Sequence, residues 1–374
     1  MGRPPLRKVA NRAAETVGLK QFELNQRLST LIKSTLGRKS LSNYDQALNI
    51  VQKLKLDEIY KPGQFDIIDI YSGTGVWSKA LNEVTKPRTH AVLDHGLSYT
   101  RWLKGYTADT NMTFFPTDPY RWAVYQSLVK YGAIKPLKIP PTEVNPSLLF
   151  TAHLTGNHGK QLMDQFLTCI ICRNWLQAFG CVRMLIWLPS VLAARHFLNP
   201  VDSPIWQNRT SIETRLFTFT KVAAFAPPNY TSGLHKVPDA VLANMQSQSL
   251  VSLNASDSFP DSELTLLDIT PKPTQSWEQN ISPTVIRYFL RNLFVTRSSK
   301  VINCLNNLGP GATEYFPILF PDLCDRYLYT LTDEEFIKLL RAFQDWPQRP
   351  EILTGYSSQE FSDRGEKSSV SSFA

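Results

Sequence analysis

Short apolar runs alternate along the chain with longer segments of helical spacing, and the first run sets the frame. Ile67, Ile68 and Ile70 end at Tyr71-Ser72-Gly73-Thr74-Gly75, and helix-compatible residues follow from Val76 to Leu81. A buried strand, a glycine turn and a helix start make the opening βα unit of a nucleotide-binding sheet. Before it, the apolar face of 41–56 predicts a helix. After it, 89–93 predicts a second strand ending at Asp94, 97–103 a short helix and 112–115 a third strand, followed by Thr117-Asp118-Pro119-Tyr120-Arg121-Trp122. The run 147–152 predicts a fourth strand leading into His153-Leu154-Thr155-Gly156. One long helix is expected over 160–179 and a fifth strand over 182–188. Alternation at Leu216-Phe217-Thr218-Phe219 suits the antiparallel strands that often close such a sheet. The fold class is therefore α/β, a mostly parallel sheet with helices on both faces.

Past a proline-rich polar hinge at 270–282 the spacing becomes helical throughout. Thr332 and Glu335 form a capping box, Phe336, Leu339, Leu340 and Phe343 give that last helix its buried face, and Trp346-Pro347 stops it. The expected organisation is a basic arm at 1–40, an α/β domain at 41–273, a helical domain at 274–354 and a tail at 355–374.

Charge changes this picture at one end only. The formal net charge is +8, and residues 1–40 hold nine basic residues against two acidic ones, leaving the rest nearly neutral. Arg3, Arg7, Lys8 and Arg12 alternate with Leu6, Val9, Ala13 and Val17, the amphipathic, arginine-rich pattern of a mitochondrial targeting segment. A solvated or DNA-touching tail is the alternative. No run of 18 apolar residues occurs, so no membrane span is expected. Five cysteines, an odd number, argue against a disulfide framework, and Cys169-x-x-Cys172 has no second pair to complete a zinc site.

Ligands of an open parallel sheet bind at the carboxyl ends of its strands. Here those ends carry Asp69 to Gly75, Asp94, Asp118 and His153 to Gly156. That layout is similar to S-adenosylmethionine-dependent methyltransferases, and the helical appendage resembles that of the small-subunit rRNA adenine dimethyltransferases. Ile68-Asp69-Ile70-Tyr71, Thr117-Asp118-Pro119-Tyr120-x-Trp122, Asn174-Trp175-Leu176, Met184-Leu185-Ile186-Trp187-Leu188-Pro189-Ser190 and Trp346-Pro347 narrow the resemblance. In that order they look like the fungal mitochondrial transcription factor B proteins, relatives of the dimethyltransferases that serve the single-subunit mitochondrial RNA polymerase.

The resemblance implies a Rossmann-like methyltransferase fold, a seven-stranded sheet with a small C-terminal helical domain. It implies a mitochondrial matrix protein, monomeric when free, that binds the polymerase and promoter DNA, the melted non-template strand above all. Tyr71, Gly73, Asp94 and Asp118 stand at the vestigial cofactor positions, with S-adenosylmethionine not expected to be required. Tyr71 replaces the first glycine of the enzymes' turn, and His153-Leu154-Thr155-Gly156 stands where they carry Asn-x-Pro-aromatic. Without that aromatic ring a flipped base loses its stacking partner. The expectation is thus a non-enzymatic factor, with an active rRNA adenine dimethyltransferase as the alternative. Tyr120 and Trp122 are candidates for holding unstacked bases, though Trp122 would serve equally as a core ring. Arg173, Arg195, His196, Arg287 and Arg291 are candidates for phosphate or base contact.

Overall fold

The computed structural model describes residues 38–96, 99–100, 103–104, 107, 110–229 and 237–351. Positions 1–37, 352–374 and most of the short helix expected at 97–103 lie outside the described residues. The expected helix at 41–56 forms as α1 (Tyr44–Lys53), opened by the Asn43 side chain accepting from the Gln46 N–H. The first apolar run is β1 (Asp66–Ile70), buried at every position, and α2 (Val76–Thr85) follows the glycine turn. Then come β2 (Thr89–Leu93), β3 (Met112–Phe115), α3 (Ala123–Lys130), β4 (Val144–His153), α4 (Gly159–Cys172) and β5 (Cys181–Pro189). The sheet is completed by β6 (Thr218–Phe225), entered from α5 (Arg209–Phe217), then β7 (Val251–Ser252) and β8 (Leu264–Pro271).

Strand order is β3-β2-β1-β4-β5-β8-β6-β7. The run β3 to β5 is parallel, and β8 lies antiparallel to both its neighbours. Among the described residues eight strands stand where seven were expected, because the two-residue β7 adds a parallel edge to β6. The order reverses between β1 and β4, which puts the ligand crevice of such a sheet at their carboxyl ends.

One face of the sheet packs on α1 and α2, where Trp77 donates through Nε1 to Thr151 Oγ1 at 2.9 Å and meets Trp187 edge-on at 5.4 Å. The other face forms one continuous core with α4 and the C-terminal helices α6 (Pro283–Leu293) and α7 (Asp333–Asp345). The hinge therefore does not separate two cores. Arg215 of α5 pairs with Asp333 at 2.7 Å, and Gln207 donates to the carbonyls of Tyr329 and Leu331, which ties the helices to the sheet. The Thr332–Glu335 capping box and its four buried residues form as read.

Two expectations fail for local reasons. The helix expected over 160–179 breaks at Arg173 and Trp175, whose φ values of 50° and 52° are left-handed, and a short 3-10 turn (Trp175–Phe179) replaces its last part. The arm boundary at residue 40 cuts through structure. Ser40–Leu41 pairs antiparallel with Ser258–Phe259, and both residues are buried.

Candidate functional site

The turn after β1 keeps its geometry and has lost its opening. Gly73 and Gly75 take φ of 59° and 77°, and Tyr71, in a glycine's place, is held at 55°. That conformation costs a non-glycine residue about 1–2 kcal/mol. The Tyr71 hydroxyl donates to Asp118 Oδ1 at 3.2 Å, and burial together with that carboxylate pushes the phenol well above its ordinary range. Into the crevice comes the chain's own segment 38–41. Arg38 forms two hydrogen bonds to the fully buried Asp94 carboxylate at 2.9 and 3.0 Å, and its guanidinium lies over the rings of Tyr99 at 4.1 Å and Tyr71 at 5.1 Å. The Lys39 N–H donates to Thr155 Oγ1 at 2.9 Å, and that hydroxyl donates back to the Lys39 carbonyl. Ser40 Oγ accepts from the Thr74 N–H at 3.2 Å, while Thr74 Oγ1 donates to the Leu41 carbonyl at 2.6 Å. A Cβ on Gly73 would lie 2.2 Å from Ser40 Oγ, and one on Gly156 2.9 Å from Arg38 Cγ.

Asp94, expected at a vestigial cofactor position, is thus committed to Arg38, which was read as part of the arm. Beneath this strap, Asp69 Oδ1, Ser72 Oγ and both ring nitrogens of His153 are buried without a hydrogen-bond partner among the described residues. His153 stacks on Trp187 at 5.7 Å, and burial lowers its pKa to about 4, so the ring is neutral.

Asp118 caps the next loop. Its Oδ1 accepts from the Tyr120 N–H at 3.0 Å, which fixes the half-buried Tyr120 with its ring 5.6 Å from His158. Trp122 turns the other way. It packs edge-on to Trp175 at 4.9 Å, beside Tyr125 and Phe166, as one member of an aromatic cluster. A hollow of about 810 Å³ opens beside this cluster, walled by Trp122, Tyr125, Trp175 and Phe179.

The first turn of α4 leads from His158 into a second cleft, about 440 Å³, between the sheet domain and the C-terminal helices. Among the described residues, five cations line it, Lys160, Arg195, Arg209, Arg291 and Arg297, against the single carboxylate Asp164. Trp206 and Phe294 add apolar wall. Arg209 is held at 3.3 Å from Glu213, whereas Lys160, Arg291 and Arg297 are exposed. Of the residues singled out in the sequence, this cleft gathers Arg195 and Arg291. Lys160 and Arg209 gave no signal there, because nothing in the sequence brings the starts of two separate helices to one wall.

Three other candidates are spent on the fold. Arg173 donates to the Lys272 carbonyl at 2.7 Å and to the Cys181 thiol, at the amino end of β5 and away from the crevice. His196 is buried, with Nδ1 2.8 Å from Thr214 Oγ1, and burial lowers its pKa to about 4. Arg287 shares a helix face with Arg291 but turns onto the Cys172 thiol, with its charge felt at Glu213.

These buried groups set the acid response. Both histidines have folded pKa values near 4 against an ordinary 6.5, so the unfolded chain takes up protons first and stability drains as pH falls from 6.5 toward 4. Glu213 opposes them. Burial raises it to about 7 from 4.5, so its contribution grows as pH falls over nearly the same window. Asp164 and Glu278, whose carboxyls burial also raises, act in the same direction as Glu213, so the net loss between pH 6.5 and 4.5 is at most about 3 kcal/mol. Urea midpoints at those two pH values should fall accordingly, and His196→Asn should shrink the difference.

Residues 30–320 match the family model described as ribosomal RNA adenine dimethylase. A protein of Lachancea kluyveri named Mitochondrial transcription factor 1 is 28% identical over 333 residues, covering 88% of this chain and 95% of its own. The protein of that name from Saccharomyces paradoxus is 28% identical, covering 87% and 93%. Among solved structures, a dimethyladenosine transferase from Plasmodium falciparum superposes with a TM-score of 0.51 at 14% identity, over 82% of this chain and 97% of that one. At that identity the likeness speaks for the fold alone.

Proposed function

The chain belongs to the ribosomal RNA adenine dimethylase family, and from that premise we propose that it works as a mitochondrial transcription initiation factor rather than as a methylase. In this reading it acts in the mitochondrion with the mitochondrial RNA polymerase and holds the non-template strand of a melted promoter. Relatives that match nearly end to end carry the name Mitochondrial transcription factor 1, which supports the transcription role.

The observation that carries the strand-holding part is the interdomain cleft, five cations against one carboxylate. Cations in that density draw a phosphate backbone and release its counterions, whatever the base sequence. Tyr120 sits at the near end of the same surface, joined to it through His158 and the start of α4. A backbone lying in the cleft could thereby set an unpaired base against the Tyr120 ring, a contact of about 1–3 kcal/mol. The methylase alternative finds less support. Leu154 is buried, Thr155 is bonded to Lys39 and Gly156 is covered by Arg38, so the fourth-strand motif offers no open seat for a base.

Run-off transcription by the mitochondrial polymerase, on a duplex promoter and on the same promoter pre-melted, tests this. The factor should raise the duplex yield strongly and the pre-melted yield little. Tyr120→Ala should lower duplex run-off about 5- to 10-fold, the loss of one stacked base, and spare the pre-melted template. Methyl transfer to small-subunit rRNA at enzymatic rates would overturn the reading.

A further inference from the structure

The crevice at the β1/β4 reversal is where this fold would take an adenosyl ligand, and its present occupant is the chain itself. Three independent contacts seat that occupant. The Arg38 guanidinium uses both oxygens of Asp94, the acid at the end of β2. Ser40 Oγ fills the space beside Gly73 that a ligand backbone would approach, since even a single added carbon there would lie 2.2 Å from it. The Lys39 main chain exchanges two hydrogen bonds with Thr155 after β4. The Tyr71 ring closes the remaining side, under Arg38 and bonded to Asp118.

We infer that segment 38–41, with Tyr71, is an intramolecular substitute for the adenosyl cofactor: it occupies the crevice, satisfies Asp94 and the Thr74 N–H in the cofactor's stead, and excludes S-adenosylmethionine. The chemistry of the donor set agrees. Asp94 is complementary to a ribose hydroxyl only while its oxygens are free, and both are in charge-assisted bonds to a guanidinium with 0% of the carboxylate exposed. Aromatic faces that could hold an adenine instead hold a cation. The strap is built into the fold rather than laid on it. Downstream it becomes the Ser40–Leu41 ladder with Ser258–Phe259, and the N–H groups of Ser42 and Asn43 donate to the Asp257 carbonyl at 2.9 and 3.1 Å. The unpartnered Asp69 Oδ1, Ser72 Oγ and His153 nitrogens beneath it mark a polar floor that the substitute covers without satisfying. The inference deepens the non-enzymatic reading and rests on it.

Apparent affinity for a ligand scales with the fraction of protein whose site is open. If the crevice is open about 1% of the time, unseating the strap raises affinity by up to about 100-fold. Titration calorimetry of the full chain with S-adenosylhomocysteine reads this directly. Wild type should show no saturable heat. Arg38→Ala combined with Tyr71→Gly should bind at least about tenfold more tightly, the glycine being at ease at a φ of 55°. Arg38→Ala alone should show a smaller gain, and thermal melts of both variants report that the fold is intact. Binding by wild type as tight as by the double variant would overturn the inference, because the strap would then exclude nothing. Failure of both folded variants to bind would overturn it too, since the walls and not the strap would reject the ligand. Duplex run-off on the same preparations reads the proposed function separately: a wild type that binds the ligand and still drives initiation defeats the substitute alone.

Discussion

Alanine at Arg195, Arg291 and Arg297 together should weaken binding to a single-stranded promoter segment on the order of 100-fold at low salt, and duplex run-off should fall with it. The three are chosen for what they are not doing. Each lines the interdomain cleft, and none forms an ion pair within the fold among the described residues. Arg209 lines it too but is held against the buried Glu213, so its loss would disturb the fold as well as the cleft. If all three contact phosphates of a single strand, the slope of log affinity against log salt should flatten by about 2. Arg341, exposed on α7 and outside the cleft lining, is the matched control: Arg341→Ala removes one charge and should leave the slope unchanged. An unaltered slope in the triple variant would place the strand somewhere else.

Why some of these residues could be read in the sequence and others could not comes down to the range of the interactions that place them. Strand ends at Leu93 and Phe115 fall where they were read, because a short apolar run closed by Asp94 in one case and Pro116 in the other is a local signal. The last helix is legible for the same reason, its cap lying three residues from its partner and its buried face recurring at helical spacing. Arg38 was not legible. Its partner stands 56 residues away, and nothing around Arg38 distinguishes it from the other basic residues of the arm. Arg195 and His196 adjoin in sequence, in the turn that follows the short helix Ser190–Ala194, yet one lines the cleft and the other enters the core. Arg287 and Arg291 do share a face, and the packing boundary with α4 and α5 passes between them. The break at Arg173 was hidden because the residues after it keep the apolar spacing of a helix while the backbone turns left-handed twice.

That break is also what creates the aromatic cluster, and it decides what Trp122 does. With φ at 52°, Trp175 leaves the line of α4 and drops its ring flat against Phe166 at 4.9 Å. Trp122, Tyr125 and Phe150 then meet the same ring edge-on at 4.9, 5.0 and 5.2 Å. Trp175 is half-buried, as Trp122 is, but meets four aromatic neighbours in favourable pair geometries, so Trp175→Ala should cost about 2–4 kcal/mol, visible as a lowered urea midpoint. Trp122 meets Trp175 at 4.9 Å but Tyr125 and Phe166 only at 6.2 Å, so Trp122→Ala should cost about 1–2 kcal/mol. The consequence for initiation follows from that difference in kind. A residue that acts by holding the loop in place loses activity only as folded protein is lost, whereas one that holds an unpaired base loses duplex activity with the fold intact. Trp122→Ala should therefore lose duplex run-off only in proportion to the folded protein it loses, while Tyr120→Ala keeps its stability and still loses duplex run-off. A Trp122 variant with an unchanged midpoint and a loss confined to the duplex would move the base-holding role to that ring, and Tyr120 would then be its neighbour and no more.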